Sequence, residues 1–167
     1  MQLNIKGMAV QVDDGQVANI VLQHFIGNAS PSIQHALMHN IAIPPIGEIW
    51  PGQGGIYAGI MRGRDGKPDY HLIVGPAIAA STWDMTKVLA TAIEIDGHKD
   101  FSLPFRAEQA LQFANVSELF EKEWYWSCEQ HAANSVRAWM QLFSDGNQHY
   151  DHKSDGYRAR AVRRSII

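Results

Sequence analysis

"WYWSCEQHAANSVRAWMQLFSDGNQHYDHKSDGYRARAVRR" (124–164) concentrates tryptophan, tyrosine, histidine and arginine in one stretch of the chain. Three β-rich runs lie within or across it: EWYWSCE (123–129), RAWMQLFS (137–144) and YRARAVRR (157–164). Between the second run and NQHYDHK stands Asp145-Gly146, a strong short-range signal for a β-hairpin. Strand side chains alternate, so Trp124, Trp126 and Cys128 share one face and Tyr125 and Ser127 the other. By the same rule Trp139, Gln141 and Phe143 lie opposite Met140 and Leu142. A sheet of adjacent strands is therefore expected here, with aromatic residues on both faces.

Upstream the pattern changes. STWD (81–84) matches the capping box, in which Ser81 and Asp84 would satisfy free N–H groups at a helix start. Met85, Val88, Leu89, Ala92 and Ile93 follow at helical spacing, which predicts a helix over 82–95. RAEQALQFAN (106–115) reads as a second, shorter helix. Before them, IYAGIMRG (56–63) and YHLIVGP (70–76) flank an Asp-Gly and a proline, the signature of a hairpin with a loop. GQGG (52–55) precedes β-type residues instead of a helix, so it is loop glycine and no phosphate cradle. LNIKGMAVQV (3–12) alternates as a strand broken at Gly7, and QVANIVLQHFI (16–26) continues in β formers. SPSIQHALMHN (30–40) carries Ser30 and Pro31 where a short helix would begin. The order β, helix, hairpin, two helices, antiparallel strands gives the α+β class.

Composition sets the bounds. The chain has 167 residues, 46% hydrophobic and 19% charged, with a net charge of −3. That suits a globular domain and gives no general attraction to nucleic acid or an anionic membrane. Cys128 is the single cysteine, so no intrachain disulfide can form. No secretory leader is legible, and no apolar run reaches the ~18 residues of a membrane span. Cytoplasmic synthesis is expected, with a virion or cell surface as an alternative final location.

The segments GHKDFSLPFRAEQ, FEKEWYWSCEQH, AWMQLFSDGNQ and RARAVRR together resemble the Lcl C-terminal domain family. The pattern falls on Gly97, Asp100, Phe101, Leu103 and Pro104, then Tyr125, Trp126 and Ser127. It continues through Ala138, Trp139, Phe143 and Gly146 to Arg160, Val162 and Arg163, so that residues 48–164 are covered. Phe101 and Cys128 stand where the family has Trp and Ser. The resemblance implies a C-type-lectin-like fold, two helices packed on a small bent antiparallel sheet. Residues 46–167 would form that domain, and residues 1–45 an N-terminal β-rich extension packed on it. It also implies kinship with bacterial adhesins and phage or prophage proteins. The triplets of calcium-dependent sugar binders are absent from the sequence, so no calcium is expected.

Tyr125, Trp126, Trp139 and Phe143 recur in that family and read as core. The candidate site then moves to EQHAANSV (129–136) and NQHYDHKSD (147–155), polar stretches expected as neighbouring loops at the sheet edge. They offer Glu129, His131, Asn134, Asn147, His149, Tyr150 and His152 for recognition of a protein or glycan. His149 with His152, and His35 with His39, give pairs of imidazoles but no four-ligand set, and no metal or cofactor is expected. Cys128 with His131 is the nearest approach to a nucleophile pair; a small core residue is the better reading of Cys128, and no enzyme activity is expected. Arg158, Arg160, Arg163 and Arg164 read as structural partners of acids such as Glu108 or Glu118, not as a nucleic-acid stripe. The function expected is a non-catalytic recognition module, with self-association compatible. The alternative is an intracellular phage-encoded effector that occupies a host protein.

Overall fold

The computed structural model describes residues 43–167, together with the backbone of two short strands near the start, β1 (Gln2–Ile5) and β2 (Met8–Gln11). The chain divides into two compact units, Met1–Ala42 and Ile43–Ile167. In the first, β1 and β2 pair antiparallel, Ile5 opposite Met8 and Gln2 opposite Gln11. The single strand broken at Gly7 is thus two strands of one ladder. The expected strand over 16–26 and helix over 30–40 lie outside the described residues.

The second unit is α+β. Its strands are β3 (Ile49–Trp50), β4 (Gly55–Met61), β5 (Tyr70–Ser81), β6 (Trp124–Gln130), β7 (Arg137–Leu142), β8 (Gln148–His152) and β9 (Tyr157–Ile166). They form one sheet in the order β3-β4-β5-β9-β6-β7-β8. Neighbours run antiparallel except β6 and β9, which are parallel at Tyr125 and Arg158. The sheet is therefore mixed, where the sequence predicted an antiparallel one. The last strand returns to the middle, beside β5 and β6, and a strand inserted there takes its direction from both neighbours.

Helices α1 (Trp83–Thr91) and α2 (Arg106–Val116) cover opposite faces. Alternation along the strands makes this so. Trp126, Ala159 and Ala161 join Trp83 and Ala90 of α1 in one cluster, while Tyr125 and Val162 join Val116 of α2 in another.

The first helix differs from its sequence pattern. It ends at Thr91, and its buried residues are Trp83, Thr86 and Ala90, whereas Met85, Val88 and Leu89 are exposed. Hydrogen bonds set this rotation. The Trp83 indole donates to the Ser127 carbonyl at 2.7 Å, and the Trp126 indole donates to Ser81 O at 3.1 Å. Seating one large ring with its N–H satisfied outweighs burying three smaller side chains. The capping box does not form. Ser81 ends β5, Thr82 is the N-cap without a side-chain bond, and the Trp83 backbone N–H donates to Lys153 O at 3.0 Å.

The β7–β8 hairpin turns at Asp145-Gly146 as its sequence predicts. Gly146 has φ +80°, and a Cβ there would lie 2.7 Å from the Phe113 ring. Both the backbone conformation and the close approach require glycine. NQHYDHK is correspondingly strand β8 over most of its length, not the loop expected from its polarity.

The arginines of β9 are structural. Arg163 meets Asp100 at 2.9 Å, and Arg158 meets Glu121 at 2.7 Å. Arg160 donates to Leu119 O and Gly75 O. Arg164 grips Glu108 with two bonds of 2.6 Å each. Glu108 is fully buried, and it also accepts from the Tyr70 hydroxyl at 2.6 Å and the Phe105 backbone N–H at 2.7 Å. Removing one member of such a pair strands the other, at a cost of about 3–5 kcal/mol. Glu108→Ala should lower the unfolding free energy by about that much, read by urea titration.

His71 supplies a pH dependence. It is buried against Tyr57 and Trp50, its Nδ1 3.1 Å from the Tyr57 hydroxyl. Burial lowers its pKa, so the unfolded chain takes up the proton first as pH falls. The stability this neutral imidazole contributes is complete above pH about 6.5, the unfolded value, and is lost as pH drops toward the folded value. His71→Phe should flatten that part of the stability profile, measured as the urea midpoint against pH.

Candidate functional site

The polar residues singled out in the sequence meet where α2 begins. Helix α2 covers one face of β6 and β7 and starts at Arg106, leaving the far ends of β6, β7 and β8 open on that face. Arg137, Trp139 and Gln141 of β7 stand opposite His152, Tyr150 and Gln148 of β8. Alternation puts all six on the same side.

A bulge in β6 shapes this end. Trp126 pairs with Met140 but Gln130 pairs with Ala138, so β6 spends four residues where β7 spends two. The surplus bends the strand. There the Ser127 hydroxyl donates to Trp139 O at 2.9 Å, and Glu129 Oε1 accepts the Arg106 backbone N–H at 2.9 Å. A carboxylate at a helix N-terminus is favourable with the macrodipole.

Above this floor, side chains stack in series. The Arg106 guanidinium lies 3.5 Å over the Trp139 ring. His131 sits on the same indole at 5.5 Å and within 4.2 Å of Tyr150, centroid to centroid. Tyr150 in turn stands edge-on to Trp139 at 5.1 Å and stacks with His149 at 4.9 Å. Trp139 is half-buried, not a core residue like Tyr125, Trp126 and Phe143. With Arg106 and His131 both on its ring, it holds the array together, with Tyr150 and His149 as the outer groups. His131 Nδ1 and Arg137 Nε are buried with no hydrogen-bond partner among the described residues.

A groove of about 550 Å³ runs alongside, lined by Arg64, Arg106, Glu129, Gln141, Asn147 and Gln148 among others. Its floor is a chain of amides. Gln148 donates to Gln141 at 2.8 Å, Gln141 to Gln109 O, and Gln109 to Tyr125 O. Gln148 also exchanges bonds with Arg106, accepting from Nε and donating to its carbonyl. Rigid polar groups of this kind give directional contacts at little entropic cost.

The structure thus brings His131, Tyr150 and His149 into one array and places Glu129 and Asn147 on the adjoining groove. Asn134 and His152 stand apart. Asn134 is turned to its own loop, its Oδ1 accepting the Val136 N–H, and His152 ends β8 as an exposed residue. Sequence reasoning missed Arg64, Arg106, Trp139, Gln141 and Gln148. The first two lie far from the polar stretches in sequence. Gln141 reads as an ordinary strand position, and Gln148 falls in the 147–155 stretch expected as a loop, with no signal to single out either.

Cys128 and His131 do not form a pair. Cys128 packs against the Trp83–Trp126 cluster, whereas His131 packs on Trp139 and Tyr150. Burial pushes the Cys128 thiol up to about 12, so thiolate is scarce at neutral pH. Among the described residues no three His, Cys, Asp or Glu side chains converge as a metal site; His35 and His39 lie outside them. No described helix is long and apolar enough to cross a membrane.

No protein-family model matches the chain, and a search of curated proteins finds no significant match. The chemistry must speak from the site.

A disulfide-forming aromatic reagent tests the thiol. At pH about 8 the native protein should react more slowly than the urea-unfolded chain, because the half-buried thiol holds little thiolate.

Proposed function

We propose that this protein is a non-catalytic recognition module of C-type-lectin-like type, and that it reads a glycan or protein across the open end of the sheet beyond α2. One observation carries the reading: the stacked Trp139–His131–Tyr150–His149 array beside a groove lined with amides and charges. Stacked rings present apolar edges and faces to sugar C–H groups or to apolar side chains, while Asn147, Glu129 and Arg106 supply donors and acceptors at fixed spacing. Rigid aromatics with few rotors lose little entropy on binding. The arrangement of helices and strands is compatible with the lectin-like fold that the sequence resemblance implies. The kinship with adhesins and phage proteins that this resemblance implies would set it on a virion or cell surface.

Asn147 and His149 are exposed, so they can be changed without disturbing the core. The paired substitution Asn147→Ala and His149→Ala should weaken ligand capture by about tenfold or more, at roughly 1 kcal/mol per lost contact. The melting temperature should not move. Ligand is captured on the immobilised protein from bacterial lysate, and the eluate is assayed for carbohydrate and for protein. Unchanged capture by the double variant would sink the assignment of this surface.

A further inference from the structure

A second cavity, of about 640 Å³, opens on the other side of Arg64, lined by Gly63, Arg64, Lys67, Tyr70, Phe105 and Ile166 among others. That volume lies within the roughly 300–1,000 Å³ of small-molecule sites. Its walls are apolar. Phe105 and Ile166 are 40% and 71% exposed there, and Pro68 and the Tyr70 ring complete the lining.

Its rim is cationic, and a turn makes it so. In Arg64-Asp65-Gly66-Lys67 the Lys67 N–H donates to Arg64 O at 3.0 Å, with Asp65 at φ +55° and Gly66 at φ +76°. Positive φ at both central positions is what a type I′ turn requires, and its end residues lie within about 7 Å. Gly63 locks the base, since a Cβ there would sit 1.9 Å from Lys67 O, and its N–H donates to Asp69 Oδ1. Arg64 and Lys67 are thereby held side by side, and neither side chain has an ion-pair partner among the described residues.

The remaining charges nearly cancel. Arg164 also lines the cavity, but Glu108 neutralises it through two bonds. Among the charges that line the cavity, Asp65 offsets one of the two rim cations and leaves an excess of one positive charge. The Asp69 carboxylate is held on the Gly63 N–H and is not part of the lining. The Tyr70 hydroxyl is committed to Glu108 and, with its pKa pushed up to about 12 by burial and by that carboxylate, stays protonated.

We propose that this cavity binds a small organic monocarboxylate, its carboxylate held by Arg64 and Lys67 and its flat apolar body laid against Phe105, Tyr70 and Ile166. One negative charge matches the rim, and the apolar walls exclude a bare inorganic ion as the preferred occupant. The cavity shares Arg64 with the recognition groove, its other lining residues are different, and the proposal stands without that groove.

The test is an amide-resolved NMR titration of the full chain with phenylacetate, its neutral analogue phenylacetamide, and inorganic phosphate. Phenylacetate should shift the signals of Gly63, Tyr70 and Ile166, with phenylacetamide at least about tenfold weaker, as loss of a charge-assisted contact implies. Phosphate should not displace it. Arg64→Ala with Lys67→Ala, both exposed loop positions, should reduce phenylacetate to the affinity of the amide and leave the melting temperature unchanged. Phenylacetate that shifts nothing here at about 10 mM, enough to fill most sites at ordinary ligand efficiency, would overturn the proposal. So would equal binding of acid and amide, or phosphate binding as tightly as phenylacetate.

Discussion

The Glu108–Arg164 pair is the point on which the second unit is assembled. Glu108 belongs to the first turn of α2, Arg164 to β9, and Tyr70, which donates to the same carboxylate, to β5. Arg164 reaches onward to the Ser102 hydroxyl and Leu103 O, tying in the segment that leads to α2. Four donors on three separate stretches of chain would lose this acceptor if the carboxylate moved. Burying such a pair yields little net stability against an apolar alternative, because desolvation offsets most of the attraction. What it does impose is position. The Phe105 N–H bonded to Glu108 fixes where α2 starts, and the two cavities lie on either side of that start.

Legibility in the sequence followed the range of the governing interactions. Local signals read well: the Asp145-Gly146 turn, the β4–β5 hairpin and the extent of α2 follow from turn chemistry and periodicity. Long-range choices did not. Met85, Val88 and Leu89 make a convincing apolar stripe, yet the Trp83 indole, bonded to a carbonyl 44 residues away, turned that stripe outward. The parallel pairing of β6 with β9 has no local signature either, since each strand looks the same whichever way its neighbour runs.

The candidate site divides along the same line. His131, His149 and Tyr150 stood out as polar or aromatic residues in polar stretches, and Glu129 and Asn147 with them. Arg106 reads as an ordinary first-turn residue, and only the folded chain lays it over Trp139. Trp139 itself reads as core because its large ring predicts burial. Its strand alternation puts it on the face that α2 leaves partly uncovered, a fact of tertiary packing that the sequence does not announce. Arg64 and Lys67 announce a turn in the sequence, but not that an apolar wall from α2 and β9 lies beside it.

The central place of β9 bears on how the protein is made. Strand β5 leaves one edge, and β6 another, without partners until residues 157–166 arrive between them. During synthesis the β4–β5 hairpin and the β6–β7–β8 meander therefore emerge as two incomplete sheets, each with an unpaired edge. Neither half has all its strand partners until residues 157–166 lie between them. Completing this sheet depends on pairings between distant stretches of chain, and such pairings slow folding. The interval before β9 inserts is when holdase chaperones have open edges to protect.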